Sequence, residues 1–263
     1  MDESDKLFTD GEAYERLMGR WSRLVGETFL GWLNPAKGLQ WLEVGCGNGA
    51  FTEELVVRCA PAAVTAIDPS KDQLAYARSR TRAEVVDFRV GNAEKLAFHD
   101  SSFDVAIMAL VVSFLSNPDK AIAEMARVVW PGGWVATYMW NVPAGGVPVD
   151  PIYVAMESMG ITSGRPPNTA ISRREAMQEL WERAGLTSIE TCVIHIPVTY
   201  SSFNDFWDSN TVPVGPQGKL IESMSTNARE QLRTLVRERL PVGSDGRITY
   251  QAFANAVKGR VRG

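Results

Sequence analysis

Along the first 140 positions the apolar residues switch repeatedly between two rhythms, short continuous or alternating runs and stretches that repeat every three or four residues. Tyr14, Leu17, Trp21, Leu24 and Val25 recur at spacings of three and four and predict an amphipathic helix that ends before Asn34-Pro35. A strand is predicted at Gln40–Val44, then, past a glycine-rich turn, helix over 51–57, strand over Ala63–Asp68 and helix over Lys71–Arg80 with Leu74 and Ala77 on one side. Residues 85–90 predict a third strand, Phe103–Ala109 a fourth, 119–129 a helix, and 133–140 a fifth strand after the Pro131-Gly132-Gly133 turn. Strands alternating with helices need crossover connections, and those connections cover both faces of a parallel sheet, so the pattern predicts an α/β domain.

The alternation stops after Trp140. Residues 141–169 carry Pro143, Pro148, Pro151, Pro166 and Pro167 among several glycines, around one short helical patch, and are expected to form an inserted cap. Ser172-Arg173-Arg174-Glu175 reads as a capping box opening a helix with Met177, Leu180, Trp181 and Ala184 inward, ended by Gly185. A strand over 189–197 follows, 201–225 is ambiguous, Leu232, Leu235, Val236 and Leu240 mark a late helix, and 248–257 reads as a final strand despite its alanines.

Composition narrows the function classes. The chain has 263 residues, 45% of them hydrophobic, and a net charge of -4, which offers no global attraction to nucleic acid or an anionic membrane. No apolar run approaches the roughly 20 residues of a membrane span, and the acidic start Met1-Asp2-Glu3-Ser4-Asp5-Lys6 is unlike a signal peptide, so a cytoplasmic protein is expected. Cys46, Cys59 and Cys192 lack metal or disulfide spacing, and His99 and His195 are the only histidines, so no metal site is expected.

The chemistry concentrates in Leu42-Glu43-Val44-Gly45-Cys46-Gly47-Asn48-Gly49, a strand running into a glycine turn that opens a helix. Glycines there let backbone approach a ligand at the carboxyl end of the strand. Asp68 ends the second strand, where a carboxylate can accept from both hydroxyls of a ribose; the competing reading is an N-cap for the helix at Lys71. A nicotinamide-dependent oxidoreductase also uses an acidic residue after a glycine turn. Gly45, Gly47 and Gly49 give Gly-x-Gly-x-Gly, however, and Ala50 stands at the third glycine of the dinucleotide fingerprint.

Taken in order, Glu43 to Gly49, Asp68-Pro69-Ser70, Gly91-Asn92-Ala93-Glu94-Lys95-Leu96-Ala97-Phe98, Phe103-Asp104-Val105 and Pro131-Gly132-Gly133 resemble the motif series of class I S-adenosylmethionine-dependent methyltransferases, in the type 11 or ubiquinone/menaquinone-methyltransferase-like family. The resemblance covers about residues 40–140. It implies a Rossmann-like fold with a seven-stranded, mostly parallel sheet, the last strand antiparallel, flanked by helices and a helical or loop cap. It also implies one methyltransferase domain, with a core of about 35–140, 172–200 and 246–263, a cap of about 141–171 and 201–245, and an N-terminal helix over 8–33 closing on the cofactor.

The implied cofactor is S-adenosylmethionine, leaving as S-adenosylhomocysteine. Gly45 carbonyl would take its ammonium with Glu43 and Cys46 nearby, Gly47 would present backbone, Asp68 would hold the ribose, and Pro69, Asn92 and Ala93 would meet the adenine, with Ala109 closing the cofactor side. Relatives usually carry Asp where this chain has Asn92, and an amide still accepts from the adenine amine without the charge. Tyr14 and Arg20 are candidates to hold the cofactor carboxylate, Arg20 by a charge-assisted bond, against the alternative of an exposed helix face.

For the acceptor, the carboxyl ends of the fourth and fifth strands offer Leu110, Phe114, Trp140 and Asn141. Tyr153, Met156, Met159, Phe203 and Trp207 suggest a flat or apolar acceptor, or plain core packing. No base is identified: His99 reads as a turn residue, His195 as a sheet-edge or core histidine, and Ser113 stands where many relatives place His. From Lys219 to Gly263 nine Lys or Arg face four Asp or Glu, which reads as one solvated helix face, with a site for an anionic acceptor as the minority reading. A small-molecule acceptor and a monomer or homodimer are expected; a non-catalytic cofactor-binding module is the remaining alternative.

Overall fold

The computed structural model describes residues 19–81, 84–161, 165–213 and 215–263, apart from the side chains of Arg20 and Pro216. Helix α1 (Arg20–Leu33) leads to β1 (Gln40–Val44), α2 (Ala50–Cys59), β2 (Ala63–Asp68), α3 (Lys71–Arg80), β3 (Val86–Val90), β4 (Phe103–Ala109), α4 (Pro118–Val128) and β5 (Val129–Trp140). Then come α5 (Asp150–Ser158), α6 (Arg174–Arg183), β6 (Thr187–Tyr200), α7 (Phe203–Asn210), α8 (Gly215–Ser223), α9 (Thr226–Arg239) and β7 (Ile248–Arg260). The strands form one sheet in the order β3-β2-β1-β4-β5-β7-β6, parallel except for β7, which runs antiparallel to both neighbours. This is the Rossmann-like sheet that the motif series implies.

The periodicities explain the layers. Trp21, Val25, Phe29 and Leu33 fall on one face of α1, buried against the sheet, with the Phe29 ring 4.7 Å from that of Tyr138 on β5. Asn34 ends α1 in the left-handed conformation, its N–H donating to Leu30 O, as the Asn34-Pro35 signal requires. On the other face, Asn117 caps α4 by accepting from Lys120 N–H (3.0 Å), and Ala121, Ile122, Met125 and Val128 pack with Met177, Leu180 and Trp181 of α6. Each fully buried Leu, Val or Phe in these layers stabilises the fold by ~1.5–3 kcal/mol relative to exposure. The Trp181 indole N–H donates to Val135 O (3.0 Å), so the largest side chain of that layer buries no unpaired donor.

Four expectations change. β5 begins at Val129 and runs through Pro131-Gly132, with a register irregularity against β4 between Phe103 and Val105, so the expected turn is an interruption inside a longer strand. β6 extends to Thr187 and Tyr200; as an edge strand it tolerates Pro197, which has no N–H to donate. Ser172 is no capping residue. It is buried, its hydroxyl donates to Thr169 O (2.7 Å) and accepts from Val142 N–H (3.3 Å), while α6 starts after Arg173 with no side-chain cap. The segment over 201–225 resolves into α7 and α8, α7 capped by Ser202 accepting from Asp205 N–H.

Candidate functional site

The sheet order reverses at β1: β2 and β3 lie on one side, β4 and β5 on the other. Connections therefore leave β1 and β4 toward opposite faces, and a crevice opens at their carboxyl ends. The glycine turn after β1 sits there. Gly45 and Cys46 N–H both donate to Ile67 O (2.8 and 3.0 Å), which ties the turn to β2. Gly47 N–H donates to Asp68 Oδ2 (2.9 Å), and Ser70 N–H donates to Asp68 Oδ1 (2.8 Å). Asp68 is thus the hub of the turn, and the N-cap of α3 is Ser70, which accepts from Gln73 N–H; the N-cap reading of Asp68 is set aside.

Two glycines are needed where they stand. Gly45 has φ +77°, and a Cβ there would lie 2.5 Å from Val111 Cγ2. Gly47 has φ +51°, and a Cβ there would meet nothing within 4 Å, so its bare backbone borders open space at the crevice. Val111 belongs to a link that begins with Leu110, itself at φ +61° with its N–H on Tyr138 O (3.0 Å). This contact across the crevice is invisible in sequence.

Glu43 is the buried carboxyl of the turn. It is fully buried, Thr52 of α2 donates to its Oε2 (2.7 Å), and its Oε1 has no partner among the described residues. Burial pushes its pKa up to about 7; the Thr52 bond opposes this and Asp68 nearby adds to it. Burial, Glu43 and Asp68 likewise hold the Cys46 thiol well above its ordinary range, so it stays protonated and packs as a small apolar group. An orphaned buried carboxyl oxygen, open backbone at Gly47 and a carboxylate at Asp68 fit a ligand with a cationic head and a hydroxylated sugar. A carboxylate oxygen can accept more than one hydrogen bond, so Asp68 can tie the turn and take hydroxyls together.

The other expected residues fall along the same edge. Pro69 is exposed beside Asp68, and Asn92 and Ala93 follow β3, whose Val90 pairs with Asp68. Asn92 Oδ1 accepts from Glu94 N–H (2.7 Å), so it is engaged within its own turn. A cavity of about 90 Å³ lies against it, lined by Ile67, Val90, Gly91, Leu96 and Phe98 among others. Ala109 ends β4 with Leu110 next after it, and Phe114, half-buried, lies in the short helical turn Val112–Phe114. Tyr14 and the side chain of Arg20 lie outside the described residues.

On the acceptor side the outcome is mixed. Trp140 is only 3% exposed and packs in the apolar core, as do Tyr153, Met156 and Trp207. Asn141 lines an open cavity of about 390 Å³ with Pro143, Ala144, Val193, Asn255 and the start of α6. Ser113 is buried, its hydroxyl unpartnered among the described residues. His99 is exposed in its turn, and His195 is exposed on the edge strand, 5.6 Å from the Phe253 ring. Thr52, Val111 and Asn255 carry roles that the sequence reading misses; only Asn255, a polar residue amid Ala254-Asn255-Ala256-Val257, has a sequence signal.

Residues 42–137 match the family model described as a methyltransferase domain. The chain is 34% identical over 131 residues to a malonyl-[acyl-carrier protein] O-methyltransferase of Pectobacterium atrosepticum, covering 48% of this chain and 50% of that protein. It is 30% identical over 115 residues to a ubiquinone/menaquinone biosynthesis C-methyltransferase of Roseobacter denitrificans, covering 42% and 46%. The chain spans about half the length of these curated relatives. In fold, it superposes on Haemonchus contortus phosphoethanolamine N-methyltransferase 2, solved in complex with S-adenosyl-L-methionine, with TM-score 0.58, 18% identity and coverage of 96% and 57%. Among the described residues no helix is long and apolar enough to cross a membrane.

Proposed function

We propose that this chain, which carries a methyltransferase domain across residues 42–137, transfers a methyl group from S-adenosylmethionine to a small organic acceptor. The observation that carries the reading is the joint geometry at the switch point: Asp68 gripping Gly47 N–H at 2.9 Å beside a buried Glu43 with an unpartnered Oε1. When bound, the cofactor supplies a methyl group activated on a sulfonium. The chain's own residues bind and orient. Gly45 carbonyl and Glu43 hold the ammonium end, Asp68 the ribose hydroxyls, and Pro69, Asn92 and Ala93 the adenine, with Tyr14 and Arg20 at the carboxylate. The desolvated setting of Glu43 strengthens its attraction for a cation, since little water screens it. Ala109, Leu110, Phe114 and Asn141 border the side from which an acceptor reaches the crevice, and water exclusion there favours displacement at carbon.

The division into a core and a cap that closes over it belongs to the same proposal. The named relatives act on a malonyl group on acyl-carrier protein and in quinone biosynthesis, which supports a small organic acceptor without choosing among O, N, C and S. A nicotinamide oxidoreductase is disfavoured by the antiparallel β7 inserted between β5 and β6, where dinucleotide folds continue in parallel. Quenching of tryptophan fluorescence separates the two. S-adenosylhomocysteine is expected to saturate the signal and NADH to leave it unchanged; the reverse pattern would overturn the proposal.

A further inference from the structure

The open cavity of about 390 Å³ lies at the end of β5, between the loop after Trp140, β7 and β6, and the start of α6. Its floor is polar where the strand pattern calls for apolar. Asn255 sits in the middle of β7 between Ala254 and Ala256, is 1% exposed, and spends one N–H on Ser172 O (2.7 Å). Ser172 in turn holds Val142 N–H and Thr169 O, so one buried pair fixes the two loops that wall the cavity. Asn141 lines the same space, and its Oδ1 is buried without a partner among the described residues. A buried acceptor left open calls for a donor from a ligand.

The rim supplies the charge. Glu175 is occupied, its carboxylate bonded to its own backbone N–H and paired with Arg174 at 3.4 Å. Arg173 also lines the cavity, its charge acting on neighbouring Glu175 without a hydrogen bond between their side chains among the described residues. A guanidinium presents a planar fork that matches a carboxylate. Pro143, Ala144 and Val193 give the remaining wall an apolar character.

We infer that this cavity is the acceptor's recognition site, and that it takes a carboxylate on Arg173 together with a neighbouring hydroxyl or N–H donor on Asn141, the apolar wall covering the carbon chain. The inference rests on the methyl-transfer reading. It places recognition beyond β5, one side of the β1–β4 crevice, so that at ~4.8 Å between neighbouring strands the carboxylate binds ~10 Å from the cofactor crevice and the reacting atom lies further along the molecule. The carboxylate is thus the handle of the acceptor and is left unmethylated.

The test uses three compounds with the full chain, 3-hydroxyoctanoate, octanoate and 3-hydroxyoctanamide, titrated by saturation-transfer NMR with and without S-adenosylhomocysteine. The hydroxy acid should bind most tightly. Loss of the hydroxyl or of the charge should each weaken binding about fivefold or more. Arg173→Ala should weaken both acids about tenfold and leave the amide unchanged; because Arg173 is exposed, the variant should melt like the wild type. Equal binding of all three compounds, no binding of any, or acids indifferent to Arg173→Ala would overturn the site. The two readings fail separately. If S-adenosylhomocysteine does not bind while the acids still depend on Arg173, methyl transfer falls and the carboxylate site stands.

Discussion

Replacing Glu43 by glutamine isolates the electrostatics of the glycine turn. Glu43 moves from an ordinary 4.5 to about 7 because burial removes water from its charged form. Below pH 4.5 both folded and unfolded chains hold the proton, and the residue costs nothing. Between 4.5 and 7 the unfolded chain ionises while the folded one does not, so stability falls as pH rises; above 7 both are ionised and the full penalty remains. At ~1.36 kcal/mol for each pH unit between those two values, the penalty comes to about 3 kcal/mol. In Glu43→Gln the new side chain keeps a carbonyl for Thr52 and never ionises. Urea unfolding at pH 4.5 to 8.5 should therefore show the variant gaining on the wild type, from near zero at the acid end to about 3 kcal/mol at pH 8. A cationic ligand head at Oε1 should shrink the gap, because it stabilises the carboxylate. Parallel pH profiles, within about 0.5 kcal/mol of each other, would refute the assignment of Glu43 as a buried, strained carboxyl.

Three further outcomes follow from contacts described above. Gly45→Ala must fit a Cβ 2.5 Å from Val111 at φ +77°, so it should destabilise by ~2–4 kcal/mol in the same unfolding assay and abolish S-adenosylhomocysteine binding; a wild-type melting curve would contradict the contact. Asn255→Ala removes a buried donor from Ser172 O and should cost ~1–3 kcal/mol, with faster amide exchange over 141–146 than in the wild type. Trp181→Phe strips the donor from Val135 O and keeps only a six-membered ring, and should cost ~1–3 kcal/mol by thermal melting, against ~3–5 kcal/mol for Trp181→Ala.

The parts of the fold that were legible in sequence are those where one local rule decides. β1, β2, α3 and β4 keep their sequence bounds to the residue, β1 and β2 because Gly45 and Asp68-Pro69 end their apolar runs. The candidate site was legible for the same reason: Gly45, Gly47 and Asp68 are local consequences of a strand that turns into a helix. What escaped depends on partners far along the chain. Ser172 has a good capping sequence, yet Val142 and Asn255 recruit it into a tertiary network, and the α6 N-terminus goes without it. Trp140 stands at a strand end, where ligands bind, yet it is buried in the main apolar cluster. Val111 constrains Gly45 only because β4 lies beside β1. The start of β5 was misplaced because Pro131-Gly132 signals a turn locally, while pairing of Val129 with Phe103 and Trp134 with Val105 holds the chain in the sheet.

The central claim is that the Glu43–Gly49 turn and Asp68 form a site for S-adenosylmethionine, and isothermal titration of S-adenosylhomocysteine into wild type, Asp68→Asn and Asp68→Ala tests it directly. Asp68 holds Gly47 and Ser70 N–H at 2.9 and 2.8 Å, so asparagine keeps an acceptor for the turn while losing the charge. The account expects saturable one-site binding to the wild type, a loss of about tenfold with asparagine and of about a hundredfold or more with alanine, as charge-assisted bonds of ~1.5–3 kcal/mol disappear. Wild-type affinity retained by Asp68→Ala, or no heat with any of the three proteins, would contradict it.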